Sequence, residues 1–174
     1  MSTATEEHLR EAHHRIASLE ARAQEGAADA RPRMQRYIDA VRRDEQAARD
    51  SARTEAHAVG ERIEQLDTSL ELAEHRVAAE LAPTREQLKG ALEAQLHRWD
   101  TYLDRVQTEA AGRAGVAREH AEATVTDLRQ RRLSIGAHVS ALGTAAGDGW
   151  RDVKSRALNE LDELKTKADT ARRK

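Results

Sequence analysis

The chain has 174 residues, 34% charged and 2% aromatic, with no cysteine or phenylalanine and a formal charge of −2. That length allows one domain, but two Trp and two Tyr cannot supply the aromatic volume of a thick core. Without cysteine there can be no disulfide, thiolate zinc site or thiol nucleophile, and the interleaved charges give nucleic acid no phosphate-tracking stripe.

From Met1 to Glu20 the chain carries early acids and lacks the apolar run of a signal peptide. No stretch has the apolar length to span a bilayer, so a cytoplasmic location is expected. Residues 5–25 read as a first helix with Leu9, Ile16 and Leu19 as its apolar stripe. Gly26 to Pro32 breaks it, and Pro32 suits the first turn of a second helix, 33–81. Pro83 removes a backbone donor and biases Ala82 away from helix, while Thr84 with Gln87 forms a capping-box signature opening a third helix, 84–142. Gly143 to Gly149 ends that helix, and Asp148 is placed to cap a fourth, 150–170.

The apolar period is eleven residues. Tyr37, Ala48, Val59, Leu70, Leu81, Leu92, Leu103, Ala114 and Val125 form one unbroken column. Eleven residues in three turns favours straight or slightly right-handed packing over a heptad supercoil. Acid-first pairs four apart, such as Glu11–Arg15, Asp127–Arg131 and Glu163–Lys167, support the exposed faces by roughly 0.2–0.5 kcal/mol each.

Residue size suggests how these helices pair. Large apolar residues flank Pro83 on both sides. Beyond them come Ala-rich seams, Ala47, Ala48, Ala52, Ala56 and Ala58 before and Ala110, Ala111, Ala114, Ala117 and Ala121 after. Further out, large residues return at Met34 to Val41 and at Val125 to Ile135. Folding at Pro83 matches large with large and small with small. The expected fold is therefore all-α: a single elongated domain built on a long antiparallel hairpin turning at Pro83, with the shorter terminal helices packed at its open end. In that arrangement Leu66, Leu70, Val77, Leu81, Leu88, Leu92, Leu96, Trp99 and Leu103 keep one flank uncovered, which predicts self-association, with a dimer as the expected oligomer.

No catalytic, cofactor or metal site is expected. Glu11–His14 is the one Glu-x-x-His, where a di-metal bundle needs two. Glu71, His75, Glu93 and His97 would share a level in the hairpin, yet their positions beside the seam point them to water. Trp99 and Trp150 sit in apolar columns and read as core anchors. Gly112 and Gly115 lack the Lys-Ser/Thr sequel of a phosphate loop and read as a close helix approach or a waist.

The segments Trp99-Asp100-Thr101-Tyr102-Leu103-Asp104, Thr126-Asp127-Leu128-Arg129 and Gly147-Asp148-Gly149-Trp150-Arg151-Asp152-Val153-Lys154 together resemble a bacterial family of small coiled-coil stress-response proteins, often described as apolipoprotein-like. The resemblance covers about residues 95–168, and its most specific part is the turn and helix start around Trp150. It implies a helical, stress-responsive protein with no catalytic residues to carry over. Echoes at an offset of 65, such as Tyr37-Ile38-Asp39 with Tyr102-Leu103-Asp104, are the trace that duplication of 34–96 as 99–161 would leave. The functional expectation is a non-enzymatic, self-associating structural or partner-binding protein. The alternative is an apolipoprotein-like lipid-surface or chaperone-like binder. A protein partner fits the first, peripheral lipid is the lesser contact, and nucleic acid is not expected.

Overall fold

The computed structural model describes residues 3–54, 58–145 and 147–172, without the side chains of Asp148 and Arg172. Ala56 and the capping side chain of Asp148, both named above, thus lie outside it. The described residues form six α-helices and no strand: α1 (Thr3–Gln24), α2 (Arg31–Thr54), α3 (Val59–Leu81), α4 (Arg85–Ala111), α5 (Gly115–Leu142) and α6 (Trp150–Arg172), with one 3₁₀ turn at Gly147–Gly149. The chain divides into two compact units, Met1–Pro83 and Thr84–Lys174. A single domain was expected; Pro83, read as the turn of a hairpin, is instead the boundary between units.

In the first unit α1, α2 and α3 each pack on the other two. The stripe of α1 is buried as expected, with Leu9, Ile16 and Leu19 at most 2% exposed. It meets Met34, Tyr37, Ile38 and Val41 of α2 and Leu66, Leu70, Ala73 and Val77 of α3 in one apolar core. Pro32 lies in the first turn of α2, where its missing N–H costs nothing. Gly26 makes the preceding turn close to the core, because a Cβ there would stand 2.4 Å from the Met34 methyl.

The unbroken helix expected over 33–81 is a correction. The chain reverses between Thr54 and Val59, and α2 lies against α3. Either helix alone would leave an apolar face wet; folding back buries both for the cost of one turn.

The second unit repeats the event. The expected helix 84–142 is α4 and α5, folded together at residues 112–114. Gly115 has φ +57°, a left-handed conformation that L side chains avoid, so it serves a reversal and not a waist. Two local expectations hold. Thr84 is extended and its hydroxyl accepts the Gln87 N–H at 3.2 Å, while Ala82 leaves the helix before Pro83. Here α5 is central: α4 and α6 both pack on it, but not extensively on each other.

Residues of like size do meet, about a different centre. Large–small–large, repeated on each side of Pro83, is symmetric about each small segment as well as about Pro83. The molecule folds at the small segments, so Ala110 and Ala117 lie near the turn while larger residues meet further along. The proposed copies 34–96 and 99–161 do not coincide with the units, since 34–96 runs from α2 into α4.

Candidate functional site

The first unit is tied shut by charge. From α1, His8 lies 2.9 Å from Asp67 and Arg15 donates two hydrogen bonds to Glu74, both on α3. Also from α1, Glu20 receives Arg42 and His13 lies 3.1 Å from Glu45, both on α2. Asp44 accepts from Gln65 and Ser69, joining α2 to α3. The Glu74 bond raises the Arg15 pKa against the opposing effect of burial.

Within this unit sits a charged cluster that the pattern did not mark. Arg76 is fully buried, its guanidinium 5.4 Å over the Tyr37 ring and 3.0 Å from Glu80. Glu80 also accepts Arg33 at 2.8 Å, and that bond raises the Arg33 pKa. This cluster holds α2 on α3. The sequence signal was weak: Arg76 precedes Glu80 by four, the base-first order on a helix.

The second unit is tied by charge as well, and it has an opening. Asp104 and Gln107 accept from Arg129, and Asp100 from Arg132, across α4 and α5. Arg131–Glu163, His138–Glu160 and Lys167–Asp127 bind α5 to α6. The last of these bonds, with help from Arg131, holds the Asp127 carboxyl below its ordinary pKa. Trp99 is buried and meets Tyr102 edge-on at 5.4 Å. Trp150, expected as a second core anchor, is only half-buried, with Arg151 over its ring.

A cleft of about 420 Å³ opens between α4 and α5 near Ala171 of α6. Tyr102, Val106, Ala110, Ala117, Ala121 and Leu128 form its apolar wall, and Glu109, Arg113, His120 and Thr124 its polar edge. Every residue from Ala111 to His120 is exposed, including Val116 at 66%. The small side chains explain the opening: at a constant helix spacing, alanines leave volume that leucines would fill. The Ala-rich seam and the Gly112–Gly115 pair were visible in the sequence, but a continuous helix hid that they form an end.

The residues expected to meet a second copy are buried within the chain. Leu66, Leu70, Val77, Leu88 and Leu92 are 0% exposed, Leu103, Trp99 and Leu96 at most 4%, and Leu81 is partly buried against the core of the first unit. A hairpin at Pro83 would have left these residues one covering helix short. The two additional reversals supply further helices and move the uncovered surface to the end of α4–α5.

No group of three or more His, Asp or Glu that could hold a metal ion occurs among the described residues, the Glu71, His75, Glu93 and His97 set and the Glu11–His14 pair included. His75 is half-buried, and burial pushes its imidazole below the ordinary pKa, with Glu74 opposing. No helix among the described residues is long and apolar enough to cross a membrane. No family model, curated protein or solved structure matches this chain.

Proposed function

We propose that this chain is a non-enzymatic, self-associating structural or partner-binding helical protein, docking through the uncovered end of the α4–α5 hairpin. The observation that carries the reading is the contrast in cover. The first unit's core is enclosed by three mutually packed helices, whereas α6 packs on α5 without comparable packing on α4 and an apolar cleft opens between α4 and α5. Helices whose apolar faces lack a partner within the chain acquire one from outside it, and a groove between two helices is a ready seat for a third. A place in a stress response, which the resemblance of residues 95–168 implies, belongs to the same proposal.

Hydrogen exchange at low and high micromolar protein tests it. Amides of residues 106–121 should exchange more slowly at the higher concentration, while those of α2 and α3 stay the same. Concentration-independent exchange at 106–121 would remove self-association at this end from the reading.

A further inference from the structure

We propose that the α2–α3 hairpin exchanges between two copies of this chain: α2 and α3 straighten into one helix, and α3 of each copy packs on α1 and α2 of the other. The exchange uses none of the residues at the α4–α5 end.

The turn between α2 and α3 carries no stop signal. Thr54 and Val59 are joined by Glu55, Ala56, His57 and Ala58, with neither proline nor glycine, and alanine and glutamate are strong helix formers. Ala58, the residue before α3, has helical dihedrals, φ −84° and ψ −10°, and its side chain makes no capping bond. The apolar column also keeps its phase across the turn, from Ala48 through Val59 to Leu70. Phase alone is not enough, because the column runs equally through the α4–α5 turn at Leu103, Ala114 and Val125. That second turn is locked: Ala114 is extended and Gly115 sits at φ +57°, and a continuous helix allows neither. What holds the first turn closed is the packing of α3 on α1 and α2. Packing is indifferent to which copy supplies the helix.

The register permits the exchange. Arg33 meets Glu80, Tyr37 meets Arg76 and Asp44 meets Ser69, so each step along α2 is matched by an equal step back along α3. Asp44 stands as far before Thr54 as Ser69 stands after Val59, which puts the centre of the hairpin midway between Thr54 and Val59. Two straightened helices laid antiparallel about a two-fold axis at that point form the same contacts between copies. Arg15 and His8 of α1 then meet Glu74 and Asp67 on the α3 of the other copy. Small residues recur around the axis, Ser51, Ala52, Ala58 and Gly60 among them, and they admit two helices at close spacing. The two forms thus differ in one turn per chain and in the entropy of association, which concentration offsets. Leu66, Leu70 and Val77 of α3 are 0% exposed, so α3 must leave a closed core to exchange, and the forms interconvert slowly.

The test refolds the full chain from denaturant at low and at high micromolar concentration and separates the products by size. High concentration should yield a dimer that persists on dilution. Asp44→Cys with Ser69→Cys, in a chain that has no other cysteine, reports which copy supplies α3. Oxidation should close the bond within one chain in the monomer and join the two chains covalently in the dimer. Ala58→Pro should lower the dimer yield at least roughly tenfold, because proline inside a helix removes a hydrogen bond and collides with the preceding turn. The hairpin tolerates it better, since φ at Ala58 is already near the value that proline imposes. A persistent dimer crosslinked only within single chains overturns helix exchange and leaves association at the α4–α5 end standing. Absence of a persistent dimer at every refolding concentration overturns it too, as does a dimer undiminished in a folded Ala58→Pro variant. The crosslink pattern decides even where Ala58→Pro does not fold.

Discussion

The two units are built from the same parts, three helices of similar length, and differ in how the third helix packs. In the first, α1 packs on α2 and α3 together, and residues beside their turn, Ala52, Ala58, Val59 and Ile63, are still half-buried. In the second, α6 packs on α5 without comparable packing on α4, and the residues at the corresponding turn, Ala111 to His120, are all exposed. The polar inventory follows the cover. The closed unit contains a fully buried arginine with its carboxylate, while the open one ties its helices with ion pairs on its surface. A three-helix unit is closed only when its third helix lies in the groove of the other two over their full length.

The largest test of that contrast lies in the buried pair. Glu80→Ala takes the Glu80 carboxylate from the buried Arg76 charge and deprives Arg33 of its bidentate partner. Removing one member of a buried pair costs about 3 kcal/mol or more, so the urea midpoint of the first unit should fall sharply. Replacing both Arg76 and Glu80 by Met should recover most of that loss, because apolar substitutes of similar volume carry no desolvation penalty. A midpoint unchanged by Glu80→Ala would show that the cluster does not hold the closed unit together.

In the second unit the corresponding weak point is its turn. Gly115→Ala places a Cβ on a residue at φ +57° and should cost about 1–2 kcal/mol. Gly112→Ala is the control: its φ is −76° and the added Cβ meets only the Glu109 carbonyl oxygen at 3.5 Å, so stability should change little. Equal losses for both variants in thermal unfolding would place the reversal elsewhere than at Gly115.

Much of this architecture was legible, and the misses share one cause. Chemical punctuation marks the helix ends: Thr84 caps α4 and Gly143 to Gly149 separates α5 from α6, while Pro83, expected as a hairpin turn, lies at the boundary between units. Between Thr54 and Val59, where α2 gives way to α3, the sequence has neither proline nor glycine, and the eleven-residue column continues from Ala48 to Val59 to Leu70 without a gap. Periodicity reports which face is apolar; it does not report whether that face belongs to one helix or to two folded together. One unbroken helix on each side of Pro83 leaves the seam from Leu66 to Leu103 a covering helix short, which is why a dimer is expected there from sequence; the two reversals bury it. Burial of Arg76 was equally hidden, since its position reads as apolar only once Tyr37 and Glu80 are known to converge on it.

A smaller effect should run the opposite way from most substitutions. Gln95 on α4 is 0% exposed, and neither atom of its amide has a hydrogen-bond partner. A buried amide left unpaired costs more than it returns, and a leucine of similar volume removes that cost. Gln95→Leu should therefore stabilise the second unit by about 1 kcal/mol, read as a higher denaturant midpoint at unchanged slope. A lower midpoint would mean that the amide is satisfied in solution.

The smallest effect probes how the open unit holds α5 to α6. Lys167 donates to Asp127 at 2.7 Å, and Arg131 adds a longer bond at 3.3 Å. Together they hold the Asp127 carboxyl below its ordinary value of 3.8, the Lys167 bond being the larger cause. A carboxyl whose pKa is lower in the folded than in the unfolded chain binds more protons when unfolded. Its contribution is therefore complete above the ordinary value and is lost as pH falls through the folded one. Both partners are about half exposed, at 45% and 47%, so water and salt weaken the pair and a few tenths of a kcal/mol is the expected size. Asp127→Asn should lower stability by that amount at neutral pH and low salt. The difference from the parent should shrink as pH falls below the ordinary carboxyl value, and shrink again in molar salt at neutral pH, where screening extends over only about 3 Å. The buried Arg76–Glu80 pair of the closed unit lies beyond the reach of that screening, so the cost of Glu80→Ala should persist in the same salt. Equal salt sensitivity of the two substitutions would erase the distinction between a unit closed over its charges and one that wears them outside.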